Sequence, residues 1–580
     1  MSNFPWLTVA GAIPLVGAVA IALTPGRSAP GSPADRRARD LLVKRIALVF
    51  SVLTLAEVIV MAVRYSPNGP RFQFQQVYEW IPQFGVHYAV GVDGIALVLI
   101  LMSAILMPVV VLASWNDVED GTASAARSPE GTGTGGAAAR APRVRSVKSY
   151  FAMMLVLETM MIGVFAATDV FLFYVFFEAM LVPMYFMIGS YGVGQRQYAA
   201  VKFLLYSLLG GLLMLVALIA LYVYSTHGGH QGTFLFTSLT HLVLSPTTQK
   251  WLFLGFFVAF AIKAPLWPFH TWLPDAATSA QPGAAVLLVG VLDKVGTFGM
   301  IRYCLDLFPT AAHFFTPLVI VLSVIGVLYG AVVAIGQADM KRLIAYTSVS
   351  HMGLITLGIF AMTSQGQAGA TLYMVNHGFA TGALFIIAGF LVSRRGSHLI
   401  NDYGGVQKVA PVLAGLFLIA GLAGLALPGL NTFVSEFLVL VGTFTRYQAA
   451  AVLATVGIIL AAIYILWMYQ RTMTGPVRAE VAAMPDLKAR ELWAVGPLIA
   501  LIVVLGVYPK PVLDIINPAV HATLVGTHST DPVPAHPATA STTAAGTANT
   551  VHHGKRAASR VDLAAHVPTH IASHHQGSSA

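Results

Sequence analysis

Fourteen mostly apolar runs, each close to the ~20 residues a helix needs to cross a bilayer, leave this sequence little choice of fold. They fall at roughly 5–24, 42–63, 94–114, 149–167, 169–190, 198–224, 250–273, 283–304, 314–336, 341–361, 366–393, 409–440, 448–470 and 491–508. Only 10% of the 580 residues are charged, against about a quarter in soluble domains, so charges are too few for a water-facing surface. That excludes a soluble enzyme and a secreted disulfide scaffold. The single cysteine, Cys304, has no partner for an internal disulfide. It also cannot supply the ligand set of an iron–sulfur cluster or a cysteine-based zinc site. The expected fold class is an all-α polytopic membrane protein with about 14 transmembrane helices.

Charge placement orients the chain. Of the 33 basic residues, 22 fall in loops after odd-numbered spans and five after even-numbered ones. Basic loops stay on the cytoplasmic side, so both termini are expected outside and the span count is expected to be even. The first span has no Lys or Arg ahead of it (MSNFPW) and reads as a retained helix, not a signal peptide. The net charge of +9 is then a topology signal, with membrane lipid and no nucleic acid as the surroundings it implies. Residues 1–114 hold spans one to three, and 115–148, rich in Gly, Ala, Ser and Arg, read as a flexible cytoplasmic loop. Residues 149–304 and 314–470 hold two further groups of helices, and 491–508 the last. Residues 521–580 carry nine scattered histidines and almost no large apolar residues. They read as a disordered tail, with no metal site assigned.

Charges inside the apolar runs are costly and need a reason. Glu178, Lys263, Lys294 and Glu436 each sit well inside a span, and Asp293 adjoins Lys294. Four central charges of both signs favour an ion or proton path. Glu57 and Glu158 lie nearer span ends, where an interfacial or structural role is the simpler reading. Two spans are also interrupted. Lys263 precedes Pro265 and Pro268, which deprives the carbonyls of Ala261 and Ala264 of their helical donors. Leu427-Pro428-Gly429 precedes Glu436. Broken helices 7 and 12, each beside a charge, point to a transport site and to hydrated cavities.

Glu178 to Lys263 spans 85 residues, and so does His351 to Glu436. The shift is five spans, an odd number, so spans 4–8 and 9–13 read as two inverted five-helix repeats. Burial disfavours both charged forms of a Glu178–Lys263 pair and mutual attraction restores them, so the pair has two states. On separation Lys263 tends to release a proton, Lys294 can receive it and Glu436 can pass it outward. His351, in the polar stretch LIAYTSVSHMG, is the better relay histidine, with His377 a second. There is no GxxxxGK[ST], GxGxxG after a strand, HExxH or CxxC, so no cofactor is expected in this chain. A purely structural scaffold with inert ion pairs is the rival from another class.

Several strings carry a resemblance. GVDGIAL at 91–97, FFEAMLVPMYF at 176–186, IKAPLWPFHTWLPDAATSAQPGAAVLL at 262–288, DKVGTFGMIRY at 293–303 and ADMKRLIAYTSVSHMG at 338–353 resemble the antiporter-like subunits of complex I, the proton-pumping NADH:quinone oxidoreductase. The resemblance implies a non-redox translocase subunit in the bacterial plasma (inner) membrane, driven by quinone reduction elsewhere in the complex. It implies Glu178 and Lys263 as the coupling pair, Lys294 as the central lysine and Glu436 as the terminal group. Lys202, Lys341, His351 and His377 become supporting positions, with Glu158 retained beside them. FMN, iron–sulfur clusters, NADH and quinone are then expected in partner subunits. Glutamate at position 436, where relatives usually hold lysine, marks the branch whose sister subunits are L and N, the expected partners. A subunit of a multisubunit Na⁺/H⁺ antiporter or of a membrane-bound hydrogenase is the alternative within transport.

Overall fold

A computed structural model describes residues 4–25, 32–117, 146–226 and 231–532. The main elements run α1 (Trp6–Leu23), α2 (Pro33–Arg64), β1 (Gln73–Ile81), β2 (Val86–Val92), α3 (Gly94–Ala113) and α4 (Val147–Ala166). Next come α5 (Val170–Ala179), α6 (Leu181–Tyr191), α7 (Arg196–Ser225), α8 (Pro246–Lys263) and α9 (Trp272–Ser279). The second half holds α10 (Pro282–Leu305), α11 (Pro309–Ile335), α12 (Met340–Phe360), α13 (Ser364–Arg395), α14 (Pro411–Gly424) and α15 (Asn431–Phe444). It closes with α16 (Gln448–Met473), α17 (Ala489–Val507) and α18 (Lys510–Gly526).

Among the described residues, twelve helices are long and apolar enough to cross a membrane, α5 and α6 counting as one. They correspond to twelve of the fourteen spans read from the sequence. The other two spans, seven and twelve, are the broken ones, and each is a pair: α8 with α9, and α14 with α15. Helices α3, α10, α12 and α13 form the interior, α10 wholly buried. Around them α1, α2, α7, α11 and α16 turn residues such as Val16, Val52, Val216, Val321 and Ile459 outward. An apolar exterior over helices with internally bonded backbones is the arrangement a bilayer requires.

Four features depart from the sequence reading. First, the helical bundle carries one element that the sequence reading lacked: β1 and β2 pair antiparallel as a hairpin. Its first strand is mostly exposed and its second mostly buried, and Gly85 turns the corner in the left-handed region (φ 59°). A Cβ there would strike the Gly232 backbone. Second, span five breaks at Met180, because Pro183 has no N–H for the carbonyl of Ala179. Third, α10 contains two π-helical turns, Leu288–Leu292 and Met300–Leu305, on either side of Lys294. Fourth, α18 reaches Gly526, into the segment read as a tail. Its Ile516, Val520 and Leu524 are buried, which gives that stretch the apolar stripe a packed helix needs. Residues 115–117 are described, whereas 118–145 and 533–580, the bulk of the expected loop and tail, lie outside the described residues.

Charged residues lock the hairpin end of the bundle. Asp93 caps α3 by accepting the N–H of Ala96 at 2.9 Å and pairs with Arg302 of α10 at 2.7 Å. Arg71, just ahead of β1, pairs with Asp306 and reaches the Thr523 hydroxyl of α18 at 3.4 Å. Asp169 caps α5 and also accepts the N–H of His87 in β2. Burial pushes the Asp169 carboxyl up from its usual range, and its three backbone donors pull it part of the way back.

Candidate functional site

The first charged region lies where α5, α7 and α8 meet. Glu178 is the penultimate residue of α5, one turn before Pro183. Its carboxylate fills the space left by Gly211 of α7, where a Cβ would overlap it. Lys263 is the last residue of α8, which stops because Pro265 and Pro268 follow. The Lys263 ammonium lies over the rings of Phe177 at 4.8 Å and Phe203 at 5.9 Å, a contact that tempers the cost of burying a cation. The pair read from the sequence is not closed. No ion pair within 4.0 Å joins Glu178 and Lys263, and Glu178 Oε1 and Lys263 Nζ are buried without hydrogen-bond partners.

The break after Lys263 is sealed by protein. Leu266 N–H donates to the Ala261 carbonyl at 2.9 Å and the Trp272 indole to the Ile262 carbonyl at 2.8 Å. The expected hydration of Ala261 is therefore replaced by a backbone bond. Beyond the break, α9 is clasped by cations. Asp275 in its first turn pairs with Lys202 of α7 at 2.7 Å and Arg342 of α12 at 2.9 Å. Lys341 of α12 donates to the carbonyls of Thr278 at 2.7 Å and Ala280 at 2.6 Å, two acceptors that the end of a helix leaves open. Lys202 and Lys341 thus hold the short helix of the break in place. His270, between the two pieces, is buried with both ring nitrogens unpartnered.

The second region is connected throughout. Lys294 is fully buried on α10 and its ammonium meets Asp293 Oδ1 at 2.9 Å, the Val289 carbonyl at 2.5 Å and His377 Nδ1 at 2.6 Å. The π turn at Leu288–Leu292 sits at the carbonyl that Lys294 takes, and such turns cluster at functional positions. His377 and His351 rings are 5.3 Å apart between centroids, and His351 to Tyr373 is 5.7 Å. The Tyr373 hydroxyl donates to Glu436 Oε1. Tyr373 and His377 are one turn apart on α13, His351 is on α12 and Glu436 on α15. Asn376 Nδ2 donates to the Asn431 carbonyl at 2.7 Å and Asn431 Nδ2 to the Asn376 carbonyl at 3.1 Å, pinning the start of α15 against α13.

The sequence named Lys294, His377, His351 and Glu436, and the fold brings all four together. It did not name Tyr373 or Asp275. Tyr373 stands four residues before His377, on the same helical face, and that spacing was the signal available. Glu158 departs from its reading: it lies in the middle of α4, fully buried, with both carboxylate oxygens unpartnered. Glu57 is half-buried on α2, also without a partner for its oxygens. Among the described residues, no hydrogen bond or ion pair joins either to the two regions above. Among the described residues, no group of three or more His, Cys, Asp or Glu is placed to hold a metal ion.

Comparison with known proteins places this geometry. A family model described as NADH:quinone oxidoreductase/Mrp antiporter, TM, matches residues 167–461, the span that holds every group just described from Glu178 to Glu436. NADH-quinone oxidoreductase subunit M of Mycobacterium tuberculosis is 53% identical over 93% of this chain and 97% of its own length. The subunit M of Rhodobacter capsulatus is 39% identical over 89% and 95%. A chain in the structure of respiratory complex I from Thermus thermophilus with bound NADH superposes with a TM-score of 0.74 at 29% identity, over 90% of this chain and 99% of that one. A chain of the Mrp complex from Dietzia sp. gives a TM-score of 0.73 at 19% identity over 91% and 99%, a likeness of fold alone.

Proposed function

The chain belongs to the NADH:quinone oxidoreductase/Mrp antiporter family of membrane subunits, in its subunit M branch, and from that premise we propose how it moves protons. It is a proton-translocating subunit of the membrane arm of complex I. The carrying observation is the buried line Lys294–His377–His351–Tyr373–Glu436.

Glu178 and Lys263 act as a two-position switch. When they close, attraction holds both charges. When they are apart, Lys263 keeps only aromatic faces beside it and passes its proton to Lys294. His377 shares a hydrogen bond with Lys294 and carries the proton on through His351 to Glu436. Lys202 and Lys341 position the α9 break, and Glu158 stands outside the relay.

Each broken pair counts as one crossing in this reading, fourteen in all, with spans 4–8 and 9–13 as inverted repeats. Both termini face outward from the bacterial plasma membrane, and transport runs from cytoplasm to outside. NADH, FMN, iron–sulfur clusters and quinone belong to partner subunits, and sister subunits L and N are the neighbours. Quinone reduction there supplies the energy, so the chain itself is the non-redox, translocating part.

The test is Lys263→Ala and, separately, Glu178→Ala in the whole complex, with pumping per NADH measured in native vesicles. Assembly is expected to survive and coupled pumping to vanish. Normal turnover with normal pumping in either variant, or in the double variant, overturns the switch and favours an inert scaffold.

A further inference from the structure

Glu436 borders two spaces of different size. On one side is a small cavity where Ser350, His351, Glu436 and Tyr464 meet among apolar residues such as Val327, Leu354 and Ile458, with about 10 Å³ open to a water's centre, roughly what one water needs. On the other is a groove of about 460 Å³ lined by Leu425, Leu427, Pro428, Phe433 and Phe437, where Glu436 is the one charged residue. The groove opens at the side of the bundle, since Phe437 and Ile459 on its walls are 54% and 62% exposed. It exists because α14 stops at Gly424 and the chain turns through Ala426 and Gly429, both at positive φ (59° and 93°). One buried carboxylate thus stands between a water-sized cavity next to the relay histidine and an open apolar face.

Only one hydrogen bond fixes that carboxylate among the described residues, the donation from Tyr373. Tyr373 is fully buried on α13, and its ring contacts both relay histidines. Its helix is pinned to the start of α15 by the Asn376–Asn431 exchange, so the hydroxyl is delivered to Glu436 by a fixed backbone.

We propose that Tyr373 is a positioning residue that holds the Glu436 carboxylate toward the His351 cavity and that release of this bond lets it face the groove. The inference rests on the proton-path reading given above. With the bond made, Glu436 stands where a proton leaving His351 through a single water reaches it. With the bond broken, the same carboxyl, now carrying that proton, is free to turn to the open side. The proton leaves His351 and arrives on Glu436, and Tyr373 keeps its own. The tyrosine therefore sets which side the last group of the relay addresses, and it limits back-transfer by separating the two positions in time.

The test uses the intact complex in native vesicles. Tyr373→Phe removes the hydroxyl alone. Pumping per NADH is expected to fall about tenfold, the usual effect of losing one hydrogen bond to a charged group, with assembly and NADH oxidation by an artificial acceptor unchanged. In infrared difference spectra the carboxyl band that disappears in Glu436→Gln is expected to shift in Tyr373→Phe. Glu436→Asp breaks the same bond from the other partner, by shortening the carboxylate. It is expected to match the Tyr373→Phe loss, and the double variant to add nothing to either. An unshifted band, unchanged pumping in Tyr373→Phe, or additive losses in the double variant overturn the proposal. Lys263→Ala in the same preparation keeps the two readings apart: if it pumps normally the proton-path reading itself has failed, and if it does not while Tyr373→Phe pumps normally only the role of Tyr373 has failed.

Discussion

The two charged regions of this bundle use the same residue types and are built in opposite ways. Lys263 is buried with no hydrogen-bond partner for its ammonium, and the partly buried Glu178 has none for Oε1, on helices interrupted next to each of them. Lys294 instead holds an aspartate, a carbonyl and a histidine, and ring contacts and one further hydrogen bond continue from that histidine to Glu436. A buried charge without a partner is expensive and easily moved, whereas one held by several partners is fixed in place. The first region therefore has the character of a trigger and the second that of a conduit. Input to the molecule should act on Glu178 and Lys263, and output should depend on the line from Lys294.

The largest expected effect comes from breaking the conduit at its head. Lys294→Ala leaves Asp293 as a buried, uncompensated carboxylate, which costs about 3–5 kcal/mol, so the yield of assembled complex should collapse. Asp293→Asn with Lys294→Met removes both charges and should restore assembly without restoring pumping. If assembly stays poor in the double variant, the cost is one of packing and the contrast between the regions weakens.

A smaller effect is expected in the trigger. Gly211→Ala places a methyl where the Glu178 carboxylate lies, an overpacking cost of about 1–3 kcal/mol, and coupled pumping should fall several-fold with assembly intact. Glu178→Asp in the Gly211→Ala background should recover part of it by shortening the side chain. No change in pumping would mean that the exact place of Glu178 is immaterial.

The smallest concerns the clasp on α9. Lys341→Ala removes the donor to the Thr278 and Ala280 carbonyls, so its effect falls on the local opening of α9 and not on assembly or coupling. Amide exchange across 272–280 should quicken about tenfold or more while exchange in α13 is unaltered. Equal quickening in both would show that the two regions are one cooperative unit.

Much of this contrast was legible before any coordinates. Long apolar runs gave the bundle, and charges inside them gave Glu178, Lys263, Lys294 and Glu436, because a membrane makes such residues conspicuous. Prolines gave the two broken spans for the same reason. What stayed hidden depends on three-dimensional neighbours. Tyr373 passes as an ordinary aromatic in an apolar run, and Asp275 as a polar residue after a break. The run 149–167 is itself centred on Glu158, so its place midway along α4 was legible and the span-end reading misjudged it. The π turns leave no mark in residue type at all. The β-hairpin leaves no membrane-length run, because its strands are only 9 and 7 residues long.

The contact of Arg71 with Asp306 and Thr523 also has a meaning in biosynthesis. Asp306 and Thr523 lie 235 and 452 residues along the chain from Arg71. The clasp therefore cannot close until α18 has been made and packed, so the last described helix completes a joint that an early loop began.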